Sequence, residues 1–174
     1  RAIEETHPDI VLVDISLKDI NGIELIKILL KRWPNLPILV LSRHPESIYA
    51  ERAIRAGARG YIMKEESTDL FLTAIRKVIG GELYMSEAIE KFIVKKRIEP
   101  TKDEAFSQLS ELSDRELEVF QLIGQGWQPR QIADRLNLSV KTVETYRTNI
   151  RLKLHLKSAT DLIQFAIQWS RSTE

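Results

Sequence analysis

Three short apolar segments restrict the folds that the first half of this chain can adopt. Residues 10–13, 38–41 and 60–63 consist almost entirely of apolar residues. A continuous apolar segment of this length is typical of a strand that is buried on both faces of a parallel sheet. Amphipathic helical patterns separate the segments, and the loops between them are short. This alternation predicts an α/β fold with a parallel sheet and right-handed crossovers over residues 1–80.

Each predicted strand leads into a polar side chain, namely Asp14, Ser42 and Lys64. Because the carboxyl ends of parallel strands meet at one edge of a sheet, we expect these three groups to lie close together. A carboxylate can attack phosphorus, a hydroxyl can donate to a phosphoryl oxygen, and an ammonium can neutralise the charge. One polar residue at a strand end is usually an ordinary surface residue, but three favour a site that forms an aspartyl phosphate.

Residues 110–174 show a different pattern, that of four short helices. Ser113 and Glu116 are spaced for a capping box at the start of the first helix. Pro129 stands in the first turn of the second helix, where its missing amide costs nothing, and Ser158 can cap the fourth. The sequence therefore predicts an all-α domain with a helix-turn-helix at its centre.

The third of these helices, which begins after Ser139, has two unlike faces. At about 100° per residue, three apolar side chains share one face: they are Val143, Ile150 and Leu154. The opposite face is polar and is formed by Lys141, Thr145 and Thr148. Its two margins carry donors and cations, with Tyr146 and Lys153 on one side and Arg147 and Arg151 on the other.

This polar face suits the major groove of DNA. Short Thr side chains let a helix approach base edges, while flanking cations can contact the phosphates. The segment 141–157 contains five Lys or Arg residues and one acid, Glu144, although the whole chain has a net charge of only +1. A basic but merely solvated helix face is the ordinary alternative, and the neighbouring helix-turn-helix pattern favours DNA.

The composition excludes several classes of protein. Cysteine is absent, which excludes disulfides, thiolate metal sites and a Cys nucleophile. No apolar segment approaches 18 residues and no signal-peptide pattern is present, so we predict no membrane partner and a cytoplasmic location. Ser42 lies outside any G-x-S-x-G elbow, and we predict that the protein is not an enzyme.

Residues 110–170 resemble the LuxR-type DNA-binding domain of NarL/FixJ response regulators. The resemblance is carried by residues 112–119, Gly126, Ile132-Ala133 with Leu136, Ser139, residues 141–146 and Lys153-Leu154. It implies base contacts from Glu144, Thr145 and Thr148. It implies phosphate contacts from Lys141, Tyr146, Arg147 and Lys153, to which the helical pattern adds Arg151. A homodimer on an inverted-repeat site in double-stranded DNA is the expected partner arrangement.

Residues 1–80 resemble the later part of a two-component receiver domain, with a flavodoxin-like fold. Asp14-Ile15, Asn21-Gly22, Ser42 and residues 57–64 carry the resemblance. It implies that Asp14 is the phosphoacceptor for a sensor histidine kinase. It also implies that Ser42, Tyr61 and Lys64 form the phosphorylation switch.

Family receivers begin with a strand that ends in two adjacent acids, which bind Mg²⁺ together with the phosphoacceptor. This chain resembles the family only from inside the second helix, so we expect the first strand, first helix and second strand to be missing. Asp14 would then be a metal ligand only together with that acidic pair. We expect Mg²⁺ in an intact receiver and no cofactor in this chain, because one carboxylate is a poor site for Mg²⁺.

Residues 81–109 are predicted to be a helical linker between the two domains. The whole pattern predicts a two-component response regulator, a phosphoprotein that acts as a sequence-specific transcription factor. One alternative is a receiver-like adaptor that binds protein partners without phosphorylation or DNA readout. Another is a phosphatase or hydrolase that uses Asp14 and Ser42.

Overall fold

A computed structural model of the chain describes residues 2–17, 20–98 and 109–172. The chain divides into two compact units, residues 1–100 and residues 101–174. Each unit is described by itself below. No helix in the described parts is long and apolar enough to cross a bilayer.

The first unit is built on a parallel sheet, as predicted. In the described residues the sheet has three strands in the order β1 (Val11–Val13), β2 (Ile38–Ser42) and β3 (Gly60–Met63). The register pairs Val13 with Val40 and Ser42 with Met63. This register brings the residues that follow β1 and β3 to the same edge as the end of β2.

Helices precede, connect and follow these strands. Their bounds are α1 (Ala2–Thr6), α2 (Gly22–Arg32), α3 (Glu46–Arg55), α4 (Thr68–Ile79) and α5 (Glu87–Ile98). The Asn21 side chain caps α2 by accepting a hydrogen bond from the amide of Ile23 at 2.9 Å. Leu39 and Ile62 of the sheet pack with Ala74 and Val78 of α4 in a buried cluster. Helix α4 thus covers β2 and β3 with an apolar face, which explains the continuous apolar composition of these two strands. For β1 the prediction of burial on both faces is wrong, because Leu12 is 46% exposed.

The predicted linker, residues 81–109, coincides only in part with the described chain. Residues 81–98 belong to the first unit, in which α5 contacts α3 and Ile89 is buried. Residues 99–108 lie outside the described residues. The boundaries of the linker, residues 81 and 109, therefore stay a prediction.

The second unit contains the four predicted helices. They are α6 (Asp114–Gly124), α7 (Pro129–Leu136), α8 (Val140–Lys153) and α9 (Ala159–Ser172). Between α7 and α8, Asn137 adopts a left-handed conformation with a φ of 52°, which gives the tight turn of the helix-turn-helix. The fold class predicted from the sequence is confirmed in both units.

The core of the second unit joins all four helices. Its fully or almost fully buried side chains include Leu117, Phe120, Ile132, Val143, Ile150, Leu162 and Trp169. Helices α6 and α9 approach each other closely at Gly124, where a Cβ atom would lie 2.5 Å from the carbonyl oxygen of Ala166. Helix α8 packs on α6 and α7, and this packing buries its apolar stripe while its other face stays at the surface.

Candidate functional sites

Asp14 and Lys64 meet at the carboxyl edge of the sheet. The Lys64 Nζ atom lies 2.5 Å from Oδ2 of Asp14, and both side chains are about one-third exposed (32% and 29%). The backbone amide of Lys64 donates to the carbonyl of Ser42 at 2.8 Å, which extends the pairing of β2 with β3 to the site. The register of the sheet therefore places the three polar residues that the sequence pattern singled out at one edge, and it brings the side chains of Asp14 and Lys64 into contact.

The carboxylate of Asp14 is held in its ionised form. Burial raises its pKa, but the hydrogen bonds from Lys64 and from the Ser16 amide, with the charges of Lys64 and His44, outweigh burial. The resulting pKa lies below the usual value of 3.8. At neutral pH the carboxylate is therefore available as a nucleophile, and the Lys64 ammonium can neutralise negative charge that arrives there.

Ser42 and Tyr61 are both buried and both contact the backbone of His44. The Ser42 hydroxyl accepts a hydrogen bond from the His44 amide at 3.0 Å. The Tyr61 hydroxyl donates to the His44 carbonyl at 2.7 Å, and burial raises its pKa. Two of the three predicted switch residues are thus linked through the backbone of His44, in the loop between β2 and α3.

Two residues at this edge were given no role from the sequence. The Ser16 hydroxyl and the His44 Nε2 atom lie 2.6 Å apart, and the Ser16 amide donates to Asp14 Oδ1 at 3.0 Å. Each stands two positions after a predicted site residue, Asp14 or Ser42, in a loop that leaves the same edge of the sheet. That shared position in the loops was the signal that could have identified them.

The described residues at this edge do not by themselves form a site for a metal ion. Both oxygens of Asp14 already accept hydrogen bonds, one from Ser16 and one from Lys64. Within the described residues, no group of three or more His, Cys, Asp or Glu side chains could hold a metal. Mg²⁺ requires several oxygen ligands in near-octahedral geometry, so Asp14 by itself is insufficient.

Helix α8 of the second unit presents the predicted polar face to the surface. Lys141, Thr145 and Thr148 are exposed, whereas Val143 and Ile150 on the opposite side are completely buried. The predicted orientation of this helix is therefore present in the fold.

The two Thr side chains of this face are bonded to their own helix. Thr145 donates its hydroxyl hydrogen to the carbonyl of Lys141, and Thr148 donates to the carbonyl of Glu144, both at 3.0 Å. Each hydroxyl oxygen keeps a lone pair, and each side chain keeps a methyl group. In these rotamers the face can accept a hydrogen bond from a base amino group or contact a thymine methyl group.

Two of the five predicted phosphate contacts have partners within the unit. Arg147 contacts the carboxylate of Glu144 at 2.7 Å, and its side chain is only 17% exposed. Lys153 contacts the buried carboxylate of Glu116 at 2.6 Å. The exposed Lys141 and the half-buried Tyr146 and Arg151 complete the predicted set. Helix α8 is therefore less cationic at its margins than the sequence count suggests.

Comparisons with known proteins match both units. Residues 1–76 match the response regulator receiver domain, and residues 110–166 match the bacterial regulatory proteins of the luxR family. The chain is 31% identical to the oxygen regulatory protein NreC of Staphylococcus epidermidis over 169 residues, which cover 94% of this chain and 78% of that protein. It is 33% identical to the response regulator UvrY of Escherichia coli over 160 residues, which cover 92% and 72%.

A solved structure agrees with these matches. The crystal structure of a two-component response regulator of the LuxR family from Aurantimonas has 33% sequence identity and a TM-score of 0.52. The match covers 57% of this chain and 71% of that one.

Proposed function

The chain belongs to the response regulators that join a receiver domain to a LuxR-type DNA-binding domain, and on this premise we propose that phosphorylation of Asp14 controls its binding to DNA. The pairing of Asp14 with Lys64 is the observation that carries the proposal. It supplies a nucleophile and a neutralising cation at one point of the sheet. The proposed location of this chain is the cytoplasm, and the signal would come from a sensor histidine kinase.

The proposed reaction is a phosphoryl transfer to Asp14. One carboxylate oxygen attacks phosphorus of the donor, the P–N bond of a phosphohistidine breaks, and its electron pair returns to the imidazole. Lys64 exchanges its contact with the carboxylate for contact with a phosphoryl oxygen. Ser42 and Tyr61 form the switch. A phosphoryl oxygen can accept the hydroxyl hydrogen of Ser42, and a turn of the Ser42 side chain toward the phosphoryl group would break the hydrogen bond that its oxygen now accepts from the His44 amide.

The proposed DNA contacts lie on α8. Glu144, Thr145 and Thr148 contact bases, and phosphate contacts come from the margins. We assign these phosphate contacts to Lys141, Tyr146, Arg147 and Arg151. We assign none to the fifth predicted residue, Lys153, because it pairs with the buried carboxylate of Glu116. Two copies of the chain would bind an inverted repeat, with half-sites about one helical turn apart. The exposed polar face of α8 supports this assignment.

Phosphorylation is tested with a small phosphodonor, phosphoramidate. Intact-protein mass spectrometry should detect one added phosphoryl group, which is lost in Asp14→Asn and retained in the exposed control Asp69→Asn. Equal labelling of Asp14→Asn would contradict the proposal. Catalytic release of many phosphates per chain would instead support the hydrolase alternative.

DNA binding is tested by selecting sequences from a random duplex pool and titrating the selected duplex at several salt concentrations. If binding neutralises Z phosphates, a plot of the logarithm of the binding constant against the logarithm of the salt concentration should have a slope near −0.9Z. Lys141→Met should reduce this slope by about one unit, while Lys77→Met, an exposed lysine of α4, should leave it unchanged. A chain that selects no sequence and shows no salt dependence would instead be an adaptor for protein partners.

A further inference from the structure

Glu116 of α6 and Lys153 of α8 form an ion pair between residues 37 positions apart. The Lys153 Nζ atom lies 2.6 Å from Glu116 Oε2, and the Glu116 side chain is only 5% exposed. The same carboxylate oxygen accepts a hydrogen bond from the Ser113 amide at 2.7 Å. One buried carboxylate therefore joins the capped start of α6 to the last residue of α8.

The pair restricts where the end of α8 can lie. A buried carboxylate is strongly disfavoured unless a cation or hydrogen-bond donors compensate it. Burial raises the pKa of Glu116, but the hydrogen bonds from Lys153 and Ser113 outweigh burial and hold the pKa below its usual value. A rotation or shift of α8 that separated Lys153 from Glu116 would leave this charge poorly compensated.

Lys153 is less suited than Lys141 to act as a simple phosphate contact. Lys141 is exposed on the polar face. Lys153 is partly covered, with 39% of its side chain exposed, and an acid already offsets its charge. Because the charge is already compensated in the free protein, contact with a phosphate would release less counterion than contact by a free lysine.

We propose that Glu116 is a positioning residue for DNA recognition, which acts through Lys153 to fix the end of α8 relative to α6. This inference rests on the proposed function of α8 in DNA readout. Lys153 then contributes to sequence discrimination by holding the helix in place. Loss of the Lys153 side chain would displace Thr145 and Thr148 from the bases without removing a phosphate contact.

The experiment compares binding to the selected duplex and to an unrelated duplex over a range of salt concentrations. Lys153→Met should weaken binding to the selected duplex at least about ten-fold, because each displaced base contact is worth about 1–3 kcal/mol. It should leave the salt slope and the affinity for the unrelated duplex nearly unchanged. Lys141→Met, the matched control, should weaken both complexes and reduce the slope by about one unit.

Glu116→Gln keeps a side-chain oxygen that can accept from the Ser113 amide but removes the charge that holds Lys153. It should lose the same discrimination as Lys153→Met, and the double variant should lose no more than either single variant. Lys153→Arg should restore discrimination, since arginine keeps the charge and the reach. Circular dichroism at the assay temperature checks that each variant is folded, and the arginine variant keeps the test informative if Lys153→Met unfolds.

Two results would overturn the proposal. If Lys153→Met reduced the slope of the salt dependence by about one unit, Lys153 would be a direct phosphate contact. Full discrimination in folded Glu116→Gln would show that Glu116 has no positioning role. Failure of the wild-type chain to select any sequence is a distinct outcome, because it would reject the proposed function before the variants are compared.

Discussion

The backbone of Gly22 lies directly against the segment that carries Asp14. A Cβ atom at position 22 would collide with the carbonyl oxygen of Asp14 and lie 2.6 Å from the Cα atom of Ile15. The Gly22 amide also donates to the Ile15 carbonyl at 3.0 Å. Gly22, the first residue of α2, thus restricts the position of the candidate phosphoacceptor. The atoms that a Cβ atom would contact belong to the backbone, so they cannot move without a shift of the whole segment.

Gly22→Ala should destabilise the first unit and impair phosphorylation of Asp14. Overpacking of this kind costs about 1–3 kcal/mol, because the backbone after β1 has to shift. Urea unfolding and phosphoramidate labelling would measure the two effects. Gly80→Ala is the matched control, since its nearest neighbours would be 3.3 and 3.4 Å from the new Cβ atom and its φ is −68°. Equal stability of the two variants would contradict this account of Gly22.

Tyr61→Phe should lower the free energy of unfolding by about 0.5–1.5 kcal/mol, the usual contribution of one hydrogen bond. The change removes the donor to the His44 carbonyl while leaving the buried ring in place. Urea unfolding followed by tryptophan fluorescence measures the effect. Tyr146→Phe, at a half-buried position on α8, should stay within about 0.5 kcal/mol of wild type. A neutral Tyr61→Phe would show that the buried hydroxyl adds nothing to stability.

Glu116 should make the second unit acid-sensitive. Its pKa in the folded chain lies below the usual value of 4.5, so its stabilising contribution is complete above that value. The contribution is lost as the pH falls from about 5 through the folded-state pKa. Glu116→Gln should therefore cost about 1–3 kcal/mol at pH 7 and much less at about pH 3.

Urea unfolding of wild type and variant at both pH values tests this dependence on Glu116. Glu111→Gln, an exposed carboxylate of the same unit, serves as the control and should show little difference between the two pH values. If Glu116→Gln lowered the free energy of unfolding by the same amount at pH 7 and pH 3, the charge of Glu116 would not contribute to stability.

Thr148→Ala should relax base preference at one position of the site. It removes the hydroxyl oxygen and one methyl group from the exposed face of α8, and such a contact is worth about 1–3 kcal/mol of discrimination. Competition between the selected duplex and single-base variants measures the change. Thr160→Ala, at an exposed position in the first turn of α9, should leave the preference intact. An unchanged preference in Thr148→Ala would place the readout elsewhere.

Much of the candidate receiver site could be predicted from the sequence. Parallel strands bring their carboxyl ends to one edge, so the approach of Asp14 to Lys64 followed from three apolar segments and the polar residues after them. The contact between Ser16 and His44 did not follow. It depends on how two loops fold back over that edge, and neither loop has a periodic pattern that reports its path.

The sequence by itself determined where the helices of the second unit begin and which of their faces are buried. Apolar periodicity and capping residues such as Ser139 act over three or four residues, so they specify where α8 begins and which of its sides is exposed. Only the tertiary structure decided which partners the charged side chains have. Lys153 and Arg147 look alike in the sequence as basic margins, yet one contacts a carboxylate 37 residues away and the other lies largely buried beside Glu144. The physical reason is that charge pairing is set by distance and burial after helices pack, and local sequence encodes neither.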